Sequence, residues 1–160
     1  WSSDVCSSDL VARQKAKERE LPIRYFVQDA AELTLPKQRF DLCTCLFDSM
    51  NYILDPTRFQ MALQRVFEHL VPRGLFIFDM NSEYALINNF FDQENLLMDE
   101  PLKYDWRSTY VPSLRICKVD MDFEYTSPEG DITEFQETHL QYAYRTEEVK
   151  EMLKIGRAHV

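Results

Sequence analysis

The feature that most constrains this chain is a strand, a helix and a second strand in close succession between residues 40 and 80. Phe40 to Phe47 (FDLCTCLF) is an apolar run with little alternation, the pattern of a strand buried on both faces of a parallel sheet. Asp55 then supplies an N-cap and Pro56 the first helical position. Phe59, Ala62, Leu63, Val66, Phe67 and Leu70 follow at helical spacing and make one apolar face. Val71-Pro72-Arg73-Gly74 stops the helix, and Leu75 to Met80 reads as another buried strand. Strand, helix, strand at this spacing is a βαβ unit, so the sheet is parallel, the crossover right-handed and the fold class α/β.

The flanks add a second character. Val11 to Glu20 reads as the end of a helix, broken at Leu21-Pro22, with a short strand at Ile23 to Val27, a loop at Gln28 to Ala31 and a turn at 33–39 containing Pro36. After Asn81, Glu83 to Asp92 reads as helix, and Asp99 to Leu114 is polar and aromatic. Cys117, Val119, Met121, Phe123 and Tyr125 then alternate with Lys118, Asp120, Asp122 and Glu124, an antiparallel strand with one wet face. Ser127 to Asp131 is a hairpin turn, Ile132 to Tyr144 the returning strand, and Thr146 caps a last helix running through Val149, Met152 and Leu153.

The two ends read as foreign. With codons GAC GTG TGC TCT TCC GAT CTN for Asp4 to Leu10, the reverse complement, taking A as its first base, encodes Lys-Ile-Gly-Arg-Ala-His-Val, the order found at 154–160. Residues 1–10 and 154–160 are therefore expected to be translated sequencing adapter and are left out of the fold reasoning. The expected organisation is a partial α/β core over 11–81, an antiparallel insertion over 82–145 acting as a substrate lid, and the start of a returning core helix over 146–153.

Charge narrows the function classes. The chain has 18 Lys and Arg against 27 Asp and Glu, a net charge of −9 that is unchanged when the two ends are removed. That balance argues against nucleic acid and against an anionic membrane surface as partners. No apolar run approaches the roughly 18 residues that span a bilayer. Cys43 and Cys45 have no second pair with which to hold zinc, so no metal is expected, and with Cys117 they read as reduced thiols of a cytoplasmic protein.

Ligands of an open α/β sheet bind at the carboxyl ends of its parallel strands. Three such ends carry polar groups: Gln28-Asp29, Asp48-Ser49 and Asp79 to Asn81. The order Gln28-Asp29-Ala30, Phe40-Asp41-Leu42, Asp48-Ser49-Met50-Asn51-Tyr52, helix, Leu70 to Asn81 resembles the post-I, II and III motif series of class I S-adenosylmethionine-dependent methyltransferases. The tail, with Tyr104-Asp105-Trp106, the alternating hairpin and Tyr142-Ala143-Tyr144-Arg145, resembles the antiparallel insertion of a bacterial small-molecule subgroup. The resemblance implies S-adenosyl-L-methionine as cofactor and a small-molecule methyl acceptor; the polar strand face of the insertion leaves a monomer or a homodimer open. It implies that Asp29 accepts from the adenine amino group, that Ala30 meets the ring, and that Leu46, Phe47 and Asp48 run beside the methionine moiety. Asp48, Tyr52 and His139 are the candidate catalytic residues; Asn51, Asn81, Trp106, Tyr142 and Tyr144 are candidates for lining the acceptor.

The chain departs from the family pattern. The family's glycine-rich loop and ribose-gripping acid would precede residue 11, and the last two strands are not found. An incomplete Rossmann-like sheet, lacking its first, second and last strands, is expected, with uncovered edges and with poor stability and weak cofactor binding in the 160-residue chain. A short-chain reductase needs Tyr-x-x-x-Lys, which no tyrosine here satisfies. The alternative outside catalysis is a cofactor-binding or regulatory module on the same fold.

Overall fold

A computed structural model describes residues 7–35 and 39–155. The outermost residues assigned to adapter, Trp1 to Cys6 and Gly156 to Val160, and the middle of the 33–39 turn lie outside these. The elements are α1 (Ser7–Glu18), β1 (Phe40–Cys45), α2 (Pro56–His69), β2 (Leu70–Phe78), α3 (Glu83–Ile87), β3 (Gln93–Glu94), β4 (Leu102–Val111), β5 (Ile116–Thr126), β6 (Ile132–Tyr142) and α4 (Thr146–Ile155). Single 3-10 turns at Ala30–Glu32 and Ser49–Tyr52 follow the first two expected strand ends.

The βαβ unit forms as its sequence dictates. Asp55 caps α2 by accepting from Thr57 N–H at 2.7 Å, with Pro56 in the first turn. Phe59, Ala62 and Leu63 bury the apolar face. β1 and β2 pair in parallel, Leu42 opposite Leu75 through Cys45 opposite Phe78. β2 starts at Leu70, earlier than the Leu75 expected. The register shifts between Phe40 and Leu42 to absorb the extra residues. Gly74 permits that close approach, since a Cβ there would lie 3.0 Å from the carbonyl oxygens of both Phe40 and Val71.

Two expectations are corrected. Ile23 to Val27 forms no strand, and Ile23, Phe26 and Val27 are about half exposed. Its apolar pattern alone cannot hold an extended segment that hydrogen bonds to no neighbouring strand. Burial of the parallel pair holds on one face only. Cys45, Phe76 and Phe78 pack on Met50, Phe59, Leu63 and Tyr144, whereas Leu42, Leu75 and Ile77 on the other face are 51–62% exposed. His69, at the end of α2, is part-buried: Nε2 receives Leu35 N–H at 3.0 Å and Nδ1 meets Arg65 O at 2.7 Å.

The second layer is an antiparallel sheet in the order β3-β4-β5-β6. β5 and β6 appear where the alternation placed them. β4 occupies the polar-aromatic stretch that carried no assignment. One face of this sheet holds Cys117, Val119 and Met121, which pack with Leu86, Ala143 and Trp106. The other is polar, with Thr138 donating to Asp120 at 2.7 Å and Lys118 paired to Asp120 at 2.8 Å. Val119 lies opposite His139 and Met121 opposite Glu137, so His139 and Glu137 share that face; His139 meets the βαβ unit through Tyr52, whereas the Glu137 side chain is largely exposed.

Candidate functional site

The site forms where the carboxyl ends of β1 and β2 meet the apolar face of β6. Phe47 and Asp48 both take positive φ, 59° and 48°. This left-handed pair turns the chain off β1, and Ser49 Oγ ties it down by donating to Leu46 O at 2.8 Å. Asp48 N–H donates to Asp79 Oδ1 at 3.3 Å, joining the ends of the two parallel strands. The 3-10 turn then sends Asn51 inward and Tyr52 across to the sheet.

Asn51 is fully buried. Its side-chain amide donates to Asn81 O and Tyr142 O, both at 3.1 Å, and its oxygen accepts Asn81 N–H at 2.9 Å. A single side chain therefore fastens the β1 turn to the end of β2 and to β6. Asn81 Nδ2 donates to Gln141 Oε1 at 2.9 Å, and Gln141 Nε2 donates in turn to Asp48 Oδ2. Beside this chain, Tyr52 Oη lies 2.8 Å from His139 Nδ1, and His139 Nε2 lies 3.0 Å from Glu137 Oε2. Burial holds the Asp48 carboxyl above the usual aspartate range, against the lowering effect of the Gln141 hydrogen bond. Burial likewise raises the Tyr52 hydroxyl, helped by the negative charges of Asp48 and Glu137.

The candidate catalytic residues Asp48, Tyr52 and His139 thus converge, although Tyr52 and His139 are 87 positions apart in sequence. Asn51 and Asn81 join them as scaffold. Asp29 and Ala30 lie apart, beside α2. Asp29 accepts Ala31 N–H at 2.8 Å and pairs with Arg58 at 2.8 Å, and these two contacts hold its carboxyl below the usual range. Leu46 and Phe47 are exposed, Phe47 at 84%. Trp106 sits in the apolar layer of β4, its Nε1 buried without a partner. Tyr142 and Tyr144 do not join the cluster. Tyr144 is a core residue against Phe59, its hydroxyl donating to Ile53 O at 2.6 Å, and the Tyr142 ring lies under Arg115.

Sequence reasoning missed Gln141. The signal for it was present: Glu137, His139 and Gln141 continue one alternation on β6. Among the described residues, cavities of about 460 Å³ between α2 and α4 and about 510 Å³ beside Tyr104 and Phe135 lie away from this cluster. Among the described residues no His, Cys, Asp and Glu grouping could hold a metal, and no helix is long and apolar enough to cross a membrane. Cys43, Cys45 and Cys117 are free thiols whose burial raises their pKa values.

Residues 6–74 match a family model described as a methyltransferase domain. A protein of Geobacillus sp. strain WCH70, provisionally named a methyltransferase, is 30% identical over 144 residues, which is 89% of this chain and 58% of that protein. The crystal structure of an S-adenosylmethionine-dependent methyltransferase from Clostridium acetobutylicum ATCC 824 is 30% identical with a TM-score of 0.83, over 96% of this chain and 61% of that one. CalS10 from Micromonospora echinaspora, an amino pentose methyltransferase solved with S-adenosylmethionine bound, is 20% identical with a TM-score of 0.71, over 96% of this chain and 63% of that one. The chain spans less than two thirds of each of these proteins. The parallel βαβ unit and the antiparallel second sheet of this chain thus share the fold of these S-adenosylmethionine-dependent methyltransferase structures over part of their length.

Proposed function

We propose that this chain is the acceptor-facing part of a cytoplasmic methyltransferase that moves a methyl group from S-adenosylmethionine to a small molecule. The observation that carries the reading is the convergence of Asp48, Tyr52, His139 and Gln141 at the carboxyl edge of a parallel strand pair, where ligands of such sheets bind.

The donor set fits the cofactor. Its adenine amino group and ammonium are hydrogen-bond donors, and the chain offers acceptors. Asp29 is a half-exposed carboxylate, and Leu46 O keeps a second lone pair beyond the one taken by Ser49. Phe47 offers an aromatic face at the same strand end. When bound, the cofactor supplies a methyl group already activated by its sulfonium. The residues of this chain then hold the acceptor in line, exclude water and receive a proton. Asp48, Tyr52 and His139 take the catalytic positions, Asn51 and Asn81 hold the strand ends in register, and Trp106 walls the acceptor side. Acidic side chains around the site and the net charge of −9 favour a neutral or cationic acceptor. The amino pentose used by CalS10 makes amino sugars the first class to try.

The test is transfer of labelled methyl from S-adenosylmethionine by the full-length protein to a panel of amino sugars and hydroxylated compounds. Transfer to one class, with kcat lowered about 100-fold in His139→Gln, is the expected result. Cofactor binding with no transfer to any acceptor would overturn it and favour a non-catalytic cofactor-binding module.

A further inference from the structure

The contacts of His139 define which way a proton can travel. Glu137 is a carboxylate and can only accept, so the His139 nitrogen 3.0 Å from it, Nε2, carries the hydrogen. In the neutral ring Nδ1 is then a bare lone pair, and the Tyr52 hydroxyl 2.8 Å away must donate to it. The remaining lone pairs of Tyr52 Oη point away from the histidine. The charged and titratable groups facing the imidazole are Tyr52 and Asp48 from the β1 turn and Glu137 on its own strand, while the neighbour across β5 is the uncharged Val119.

We propose that Glu137 is a positioning residue that fixes His139 as the Nε2–H tautomer, so that Tyr52 and His139 relay one proton away from the methyl acceptor. The inference rests on the methyltransferase reading and narrows the substrate class to acceptors that must shed a proton, an amine N–H or a hydroxyl. For each methyl gained, the acceptor heteroatom passes its proton to Tyr52 Oη as the Tyr52 hydroxyl proton moves to His139 Nδ1. The positive charge brought in by the sulfonium ends on the His139 imidazolium beside the Glu137 carboxylate, and the proton leaves to solvent. A thioether or tertiary amine acceptor has no proton to lose and no use for this relay.

Glu137 has a side chain 55% exposed, so replacing it leaves the fold intact. The experiment is ¹⁵N NMR of the full-length protein labelled in histidine, with His139→Gln assigning the resonance. The wild type is expected to show the Nε2–H tautomer. Glu137→Gln keeps that tautomer, because the amide oxygen still accepts, whereas Glu137→Ala shifts the ring toward Nδ1–H. The same Ala variant should lose about tenfold or more in kcat with little change in KM. An Nδ1–H wild type, or an Ala variant with an unmoved tautomer, overturns the relay while methyl transfer by the wild type still stands. A wild type with the expected tautomer that transfers methyl to no amine or hydroxyl compound overturns the relay and the methyltransferase reading together.

Discussion

The two sheets of this molecule are built on opposite terms. The antiparallel sheet is built largely from its own pairings: β4 to β6 pair along their full lengths, one face carries an apolar cluster and the other is laced with polar pairs. The parallel pair does not. β1 and β2 bury one face under α2 and leave Leu42, Leu75 and Ile77 open on the other. A parallel sheet is normally covered on both faces, so the βαβ unit depends on what packs around it far more than the hairpin layer does. The site lies on the seam between them, where the less self-sufficient layer lends Asp48 and Tyr52 and the more self-sufficient one lends His139 and Gln141.

The largest test of that contrast is removal of a core residue from each side. Phe59 and Leu86 are both fully buried, one in each cluster. Phe59→Ala should cost about 3–5 kcal/mol and Leu86→Ala about 2–5 kcal/mol in urea unfolding. Amide exchange separates the layers. In Phe59→Ala, α2, β1 and β2 are expected to lose protection while β4 to β6 keep theirs. Simultaneous loss in both layers would break the contrast. Asn51→Leu attacks the seam. It leaves Asn81 N–H and two carbonyls without their partner, for about 2–3 kcal/mol. Exchange at Asn81 and Tyr142 should rise together.

The pH response gives a second test, because Asp48 at the end of β1 and Glu148 on α4 carry carboxyls shifted in opposite directions. Glu148 is lowered by the Arg115 guanidinium, which holds it through two contacts at 2.8 Å. Its contribution is therefore present above the ordinary glutamate value and lost as pH falls through the lowered one. Glu148→Gln should flatten the acid side of the stability profile. Asp48, raised by burial, behaves in reverse: its contribution is full below the ordinary aspartate value and declines as pH rises. Asp48→Asn should therefore make the protein slightly more stable at neutral pH and less active in methyl transfer. A destabilised Asp48→Asn would show that the Gln141 bond outweighs the burial of the charge.

Legibility in the sequence followed the same line. Elements whose partners are close in sequence were readable: α2 from its Asp55-Pro56 start and the β5–β6 hairpin from strict alternation. The elements read poorly were those decided by non-local packing. Ile23 to Val27 has the composition of a strand but no strand to pair with. In β4, Ser108 interrupts the apolar series Tyr104, Trp106, Tyr110, which hid a strand that its neighbour β5 makes regular. Within the site, Asp48 was visible from strand-end logic and Tyr52 from the family resemblance. The Tyr52–His139 contact was not, since nothing local to either residue encodes a partner 87 positions away. The core roles of Tyr142 and Tyr144 were equally hidden. Aromatic density marks a pocket wall and a packed layer alike.

The two glycines, one in each layer, resist substitution for different reasons. At Gly74 a methyl group would press on the backbone oxygens of Phe40 and Val71 at 3.0 Å and of Asp41 at 3.3 Å. Backbone cannot swing aside as a side chain can, so Gly74→Ala should cost about 1–3 kcal/mol and disturb the β1–β2 register. Gly130 has φ +91° and nothing within 4 Å of where a Cβ would stand. Gly130→Ala meets only the conformational penalty of a left-handed residue, about 1–2 kcal/mol. Its Ser127 carbonyl contact at 2.9 Å is a backbone bond and survives the change. Methyl transfer separates them more cleanly than stability does. The Gly74 variant moves the end of β2, where Asp79 and Asn81 sit, and should lower activity, whereas the Gly130 hairpin lies at the far end of β6 from His139 and should leave it unchanged. Equal losses of activity would mean that the hairpin layer is not the independent platform its hydrogen bonding makes it.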